Sequence, residues 1–209
     1  MTTPSQTPPL ARATAALIAL VALAALIVQW VLNTTAPDGE GWLLEFWQLM
    51  RFFTILTNAL VVIVWGRVAL GAKVSAGVLA GTTLSIVMVG IVYQVLLAPD
   101  IPLQGARFWT DLVFHTLTPV AGLLWWLAFA PKELRLRQLP YWLIWPTGYC
   151  AYALIRGGLT GDYPYFFFDI GRFGVGFVAG YIAALVLAFA AMGVLLLGVA
   201  RLYPARMQS

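Results

Sequence analysis

The sequence predicts an all-α polytopic membrane protein, a six-helix transmembrane bundle forming a single domain over residues 1–209. Composition comes first: 62% of residues are hydrophobic and only 10% are charged, whereas soluble domains carry about 25% charged residues. Six apolar segments follow, approximately 11–32, 43–66, 74–98, 107–130, 139–158 and 173–200. Each is near the ~20 residues needed to cross a hydrocarbon core of about 30 Å. The connections between them are short and polar, and no internal repeat is visible.

The first segment follows Arg12 and so resembles a signal peptide. Its apolar run is too long for an h-region, and it ends at Gln29-Trp30 without a small-x-small cleavage site, so it is expected to remain as a span. The Asn33-Thr34-Thr35 sequon is a common chance match. The second segment contains RFFTILTN (51–58), and the third carries no charge between 74 and 98. The fourth contains DLVFHTLTP (111–119), with the only histidine of the chain, His115. Pro119 removes the amide that would bond the His115 carbonyl, so a bend is expected there. The fifth ends with Arg156 and runs into GGLTGDYPYFFFD (157–169). Gly157, Gly158 and Gly161 loosen this loop, and Tyr163, Tyr165 and Phe166 to Phe168 are expected at the membrane interface. The loop is either a lid or a re-entrant turn anchoring the sixth span, with Asp162 and Asp169 available to pair with Arg156 or Arg172.

Orientation follows from the loop charges. One side receives Arg12, Arg67, Lys73, Lys132, Arg135, Arg137, Arg201 and Arg206; the other receives only Arg107 and Arg172, with Asp38, Glu40, Glu45, Asp100, Asp162 and Asp169. The bias predicts both termini in the cytoplasm. Trp30, Trp42, Trp47, Trp109, Tyr163 and Tyr165 then fall near the outer interface, and Trp126, Tyr141, Trp142 and Trp145 near the inner one, as aromatic belts. The net charge of +4 is explained by this sorting, and no nucleic-acid partner is expected. A single cysteine, Cys150, excludes an internal disulfide framework.

The polar residues left inside the spans are few. On a continuous second helix, Arg51, Thr54 and Asn58 share a sector about 60° wide. Asp111, His115 and Thr118 share a similar sector of the fourth. Counting from the outer side, Thr54 lies roughly 16 Å and His115 roughly 12 Å along their helices, and Arg156 approaches the same level from below. Each intramembrane charge costs at least about 2.5 kcal/mol, so coincidence at one depth points to a buried polar chamber in the outer half of the bilayer. Taken singly, the residues have plainer readings. A span threonine often bonds the carbonyl one turn back, the Asp111–His115 pair can be a structural hydrogen bond, and Arg51 and Asp111 can neutralise each other.

The chemistry open to these groups is limited. One histidine with one nearby carboxylate makes a poor zinc site. There is no GxSxG elbow, no phosphate loop and no pair of span histidines for haem, so neither metal nor cofactor is expected. A threonine hydroxyl beside an imidazole can be a nucleophile with a general base. Asp111 can orient the ring or pair with Arg51. Arg51, Asn58 and Arg156 can meet a carboxylate or an oxyanion. At that depth the nucleophile meets acyl chains, so the expected partners are membrane lipids and a lipid or fatty-acyl ester substrate.

Three stretches, RFFTILTN, FHTLTP and WPTGYCAYALIRGGLTGDYPYFFFD, together resemble the androgen-induced, FAR-17a-like family of multi-span membrane proteins, to which the androgen-dependent TFPI-regulating proteins belong. The resemblance covers most of the chain, which looks like a bacterial relative of shorter length with divergent flanks. It implies six spans and a threonine hydrolase that cleaves fatty acid esters of hydroxy fatty acids inside the membrane. It also implies Thr54 as nucleophile, ahead of Thr57, with His115 as its partner. Arg51, Asn58, Asp111, Arg156, Tyr163, Tyr165 and Asp169 are the supporting or substrate-binding candidates. The competing expectation is a non-enzymatic lipid- or amphiphile-binding protein, or a proton-coupled transporter using the His–Asp pair.

Overall fold

The computed structural model describes residues 7–98 and 103–203. Asp100 and Arg206, two of the residues used to assign orientation, lie outside the described residues. Among the described residues eight α-helices make up the bundle: α1 (Pro9–Thr34), α2 (Trp42–Leu49), α3 (Phe53–Ala69), α4 (Ala76–Val92), α5 (Gly105–Leu112), α6 (Thr118–Phe129), α7 (Leu139–Thr160) and α8 (Ile170–Arg201). A π-turn, Tyr93–Leu97, extends α4, and a second, Val113–Leu117, joins α5 to α6 into one rod. No strand occurs among the described residues.

Four of these units are long and apolar enough to cross a membrane: α1, α4 with its π-turn, α5–α6, and α8. The pair α2 and α3 makes a fifth if counted as one bent span. Helix α7 has 22 residues, but its Trp, Tyr, Pro and Arg content leaves it less apolar than the others. The chain is therefore an all-α membrane protein with four to five candidate spans.

The segment 43–66 is not the single straight helix expected from sequence. It breaks at Met50–Phe52, and α2 meets α3 at 93°. Arg51 consequently sits in the break and does not share a helix face with Thr54 and Asn58. The break leaves carbonyls without intrahelical partners, and α7 supplies donors for them. Tyr149 Oη donates to the Arg51 carbonyl (2.7 Å), Tyr152 Oη to Met50 (3.2 Å) and Arg156 Nη1 to Trp47 (2.8 Å). Positions 149, 152 and 156 share one helical face, so a single stripe of α7 clamps the bend. Arg156 is 6% exposed and its guanidinium also stacks on Trp47, 4.1 Å from the ring centroid.

Helix α4 is the centre of the bundle and packs against α3, α6, α7 and α8. Helix α1 lies along α3 through a buried stripe, Ala11, Ala15, Ala19 and Ala22. Apolar side chains gain little by leaving lipid for a helix interface, so small residues that admit close backbone approach carry this packing. The main core joins Val61, Trp65 and Val68 of α3 to Leu84 and Ile86 of α4 and Trp125 and Trp126 of α6. Trp126 and Trp142 are fully or almost fully buried, so they are core residues and not members of an inner belt; Tyr141 is exposed as expected. Trp42, Trp47 and Trp109 are exposed at the other end.

Contacts sort the charges by end. Trp125 Nε1 donates to the Ala11 carbonyl, Arg12 Nε donates to the Ala69 carbonyl, and Lys132 lies over the Tyr203 ring. The start of α1 and the ends of α3, α6 and α8 therefore meet at one end. At the opposite end Arg107 bonds Asn33, and Arg51 pairs with Asp162.

Candidate active site

The break that interrupts the second segment also sets the position of Thr54, the second residue of α3. Its partner arrives on the π-turn Val113–Leu117. Pro119 offers no amide, and the wider turn closes through Thr118 N–H to the Val113 carbonyl, turning His115 toward α3. Such π-turns are frequent at functional sites. Gly90 of α4 makes room for them: a Cβ there would lie 3.0 Å from the His115 carbonyl oxygen and 3.2 Å from Pro119.

Four side chains form one linear chain of contacts. Tyr93 Oη donates to Asp111 Oδ2 at 2.7 Å. Asp111 Oδ1 faces His115 Nδ1 at 2.9 Å, and His115 Nε2 faces Thr54 Oγ1 at 3.3 Å. With the carboxylate accepting from Nδ1–H, the lone pair of Nε2 is left toward the threonine hydroxyl. The imidazole is also held by its face: the Tyr93 ring stacks on it at 3.6 Å with an interplanar angle of 7°. The His115 side chain is 13% exposed and that of Asp111 is 24% exposed.

Thr54 stands where the first amides of α3 have no intrahelical acceptor. The N-cap residue, Phe52, offers no side-chain cap. Tyr165 reaches this point from the loop after α7: its ring packs against Phe52, 6.1 Å between centroids, and it lines the same cavity as Phe53 and Thr54. An apolar cavity starts at Thr54 and Tyr165 and runs between α4, α7 and α8.

The structure brings Thr54, His115, Asp111 and Tyr165 together and gives the remaining candidates other partners. Arg51 forms an ion pair with Asp162 of the α7–α8 loop and not with Asp111. Asn58 is fully buried, and its Nδ2 donates to the Thr54 carbonyl at 2.9 Å, so it steadies the first turn of α3. Arg156 is engaged with α2 and with Tyr152 Oη at 2.9 Å, not with Asp162 or Asp169. Tyr163 packs on Gly157, where any larger side chain would collide with the ring. Asp169 caps α8 by accepting from the Arg172 amide at 2.9 Å. The loop itself is packed inward: Phe167 and Phe168 are buried against Tyr149 and Val178, and only Phe166 is substantially exposed. The expectation that Phe167 and Phe168 lie in the interface is thereby corrected.

Tyr93 was not legible as a site residue. It follows an unbroken apolar run in sequence, and its place beside Asp111 and His115 depends on a π-turn that no local signal announces. No protein-family model, curated protein or solved structure matches this chain.

Proposed function

We propose that this chain is an intramembrane lipid ester hydrolase with Thr54 as nucleophile and His115 as general base. The carrying observation is the 3.3 Å contact between Thr54 Oγ1 and His115 Nε2, at the end of a chain anchored in the Asp111 carboxylate. Hydroxyl, imidazole and orienting acid is the arrangement by which an alcohol side chain is activated for acyl transfer. As Thr54 Oγ1 attacks the ester carbonyl, its proton passes to His115 Nε2. Asp111 stabilises the imidazolium, and Tyr93 holds the carboxylate in place. The carbonyl oxygen, now negative, meets the free amides at the start of α3 and the Tyr165 hydroxyl. Collapse expels the alkoxide, which takes the proton from His115. Water then attacks the acyl carbonyl as His115 takes its proton; the bond from Thr54 Oγ1 to the acyl carbon breaks, Oγ1 takes the proton back from His115, and the acid departs.

The same reading takes the chain as six spans with both termini cytoplasmic in a bacterial inner membrane and the site in the outer half. It takes the resemblance to the androgen-induced, FAR-17a-like family as homology. A fatty acid ester of a hydroxy fatty acid suits the apolar cavity beside Thr54. A lipid carrier using the His–Asp pair is favoured by the cavity alone and requires binding without turnover.

The test is turnover of a fatty-acyl ester, and labelling by a fluorophosphonate probe, in wild type, Thr54→Ala and His115→Ala. Both variants are expected to lose activity while keeping their thermal transitions in detergent. Full labelling in both variants sinks the assignment.

A further inference from the structure

We infer that the cavity between α4, α7 and α8, about 50 Å³ in volume, seats the carbonyl end of one unbranched acyl chain, the acyl part of the ester, which enters sideways from the bilayer and leaves its remaining length along the α4–α8 seam. This rests on the hydrolase reading above. The cavity carries no charged side chain; its hydroxyls belong to Thr54, Tyr149 and Tyr165. Tyr149 Oη bonds the Arg51 carbonyl beside Thr54, and the Tyr165 ring packs against Phe52, so all three gather at one end. Beyond them the walls are Met88 and Val92 of α4 and Leu185, Val186 and Phe189 of α8. A sugar, headgroup or second carboxylate has no polar partner there, and burying such a group unpaired costs several kcal/mol.

The arm of the ester that occupies the cavity follows from where the proton must go. His115 does not line the cavity; it approaches Thr54 Oγ1 from another side. His115 must hand its proton to the departing alkoxide, so the alcohol part has to lie on the His115 side. The arm in the cavity is then the acyl chain, which stays bonded to Thr54 Oγ1 when the C–O bond to the alcohol breaks. Val92, Leu97, Leu185 and Val186 are each partly exposed, so the seam between α4 and α8 meets the surrounding lipid and a chain reaches Thr54 without crossing water.

Val186 is a cavity wall and belongs to none of the catalytic groups. The test compares p-nitrophenyl palmitate with p-nitrophenyl butyrate in wild type, Val186→Trp and Val186→Ala. Filling the site with tryptophan is expected to lower kcat/KM for the long ester about tenfold or more while the short ester stays within about twofold. Val186→Ala is expected to improve a branched-chain ester relative to its straight isomer. If Val186→Trp does not fold, the Val186→Ala ratio decides. Long-to-short and branched-to-straight ratios equal to those of wild type overturn the inference. If wild type hydrolyses neither ester, the hydrolase reading fails and the cavity is read directly with a palmitic acid carrying a mid-chain diazirine. Adducts on Met88, Leu185, Val186 or Phe189 support the chain site; adducts confined to other residues overturn it.

Discussion

Tyr93 and His115 stack face to face at 3.6 Å while both reach the same carboxylate, Tyr93 at Asp111 Oδ2 and His115 at Asp111 Oδ1. The imidazole is therefore fixed in plane and in tautomer by two residues from different helices. Orientation of this kind matters most when the ring must first take a proton and then return it.

Asp111→Asn keeps the shape but lets the amide donate to Nδ1, which places the ring proton on Nε2 and turns the base away from Thr54. We expect kcat to fall by about 10²–10⁴ with KM little changed. Tyr93→Phe keeps the stack and loses one hydrogen bond to the carboxylate, worth about 1.5–3 kcal/mol in such charged contacts. Its loss in kcat should be smaller than that of Asp111→Asn. Equal activity of Asp111→Asn and wild type would remove Asp111 from the mechanism.

Thr54→Ser retains a hydroxyl on the same turn of α3 and should keep measurable ester turnover, whereas Thr54→Val, which matches threonine in shape, should keep none. Single-turnover kinetics separate the two. Activity in Thr54→Val points to Thr57, whose hydroxyl accepts from Trp145 Nε1 at 3.1 Å.

A base works only when unprotonated, so kcat/KM should rise with pH through one ionisation and fall tenfold per unit on its acid side. That acid limb should move in Asp111→Asn, because the group it reports is His115. An unchanged limb in that variant assigns the ionisation elsewhere.

Arg156→Met leaves the Trp47 carbonyl and the Tyr152 hydroxyl without their donor. Buried groups orphaned in this way cost about 1–3 kcal/mol each, and a chain of this size loses about 2–4 °C in Tm per kcal/mol. Differential scanning of the purified protein in detergent should show a drop of several degrees. Arg156→Lys should recover only part of it, because one ammonium cannot reproduce the guanidinium stack on Trp47.

Lys132, in the loop after α6, donates to the Trp126 and Ala130 carbonyls at 2.6 Å each and closes the end of that helix. Burial lowers its pKa to about 8, with Glu133 offsetting only part of the effect. The unfolded chain keeps its proton to about pH 10.4, so between these values it binds more protons than the folded one. Stability therefore rises with pH across that window. Thermal melts at about pH 8 and about pH 10 should show the rise in wild type and its absence in Lys132→Met.

Much of this arrangement is written in the spacing of residues. Asp111 and His115 stand one turn apart on the same rod, and the depth of Thr54 matched that of His115 even though the helix assumed for it does not run straight. The break at Met50–Phe52 left no mark, because MRFF contains neither proline nor glycine and the apolar pattern continues across it. The partners of the bend lie on α7, where Arg156 reads from sequence as an anion-binding candidate and nothing marks Tyr149 or Tyr152 as donors to carbonyls about a hundred positions earlier. Tyr165 and Phe166 to Phe168 read as interfacial for the same reason. Burial of Phe167 and Phe168 is decided by tertiary packing, not by local composition.

The clamp on the bend also sets an order of assembly. The carbonyls of Arg51, Met50 and Trp47 find their donors 98, 102 and 109 positions further along the chain. Until the ribosome has produced α7, these three carbonyls at the bend before Thr54 lack the donors that hold them in the folded chain. His115 and Asp111 are likewise synthesised before the clamp exists. On the hydrolase reading, Thr54 and His115 are made before the contacts that fix the bend, and the site is complete only once the last third of the chain supplies Tyr149, Tyr152 and Arg156.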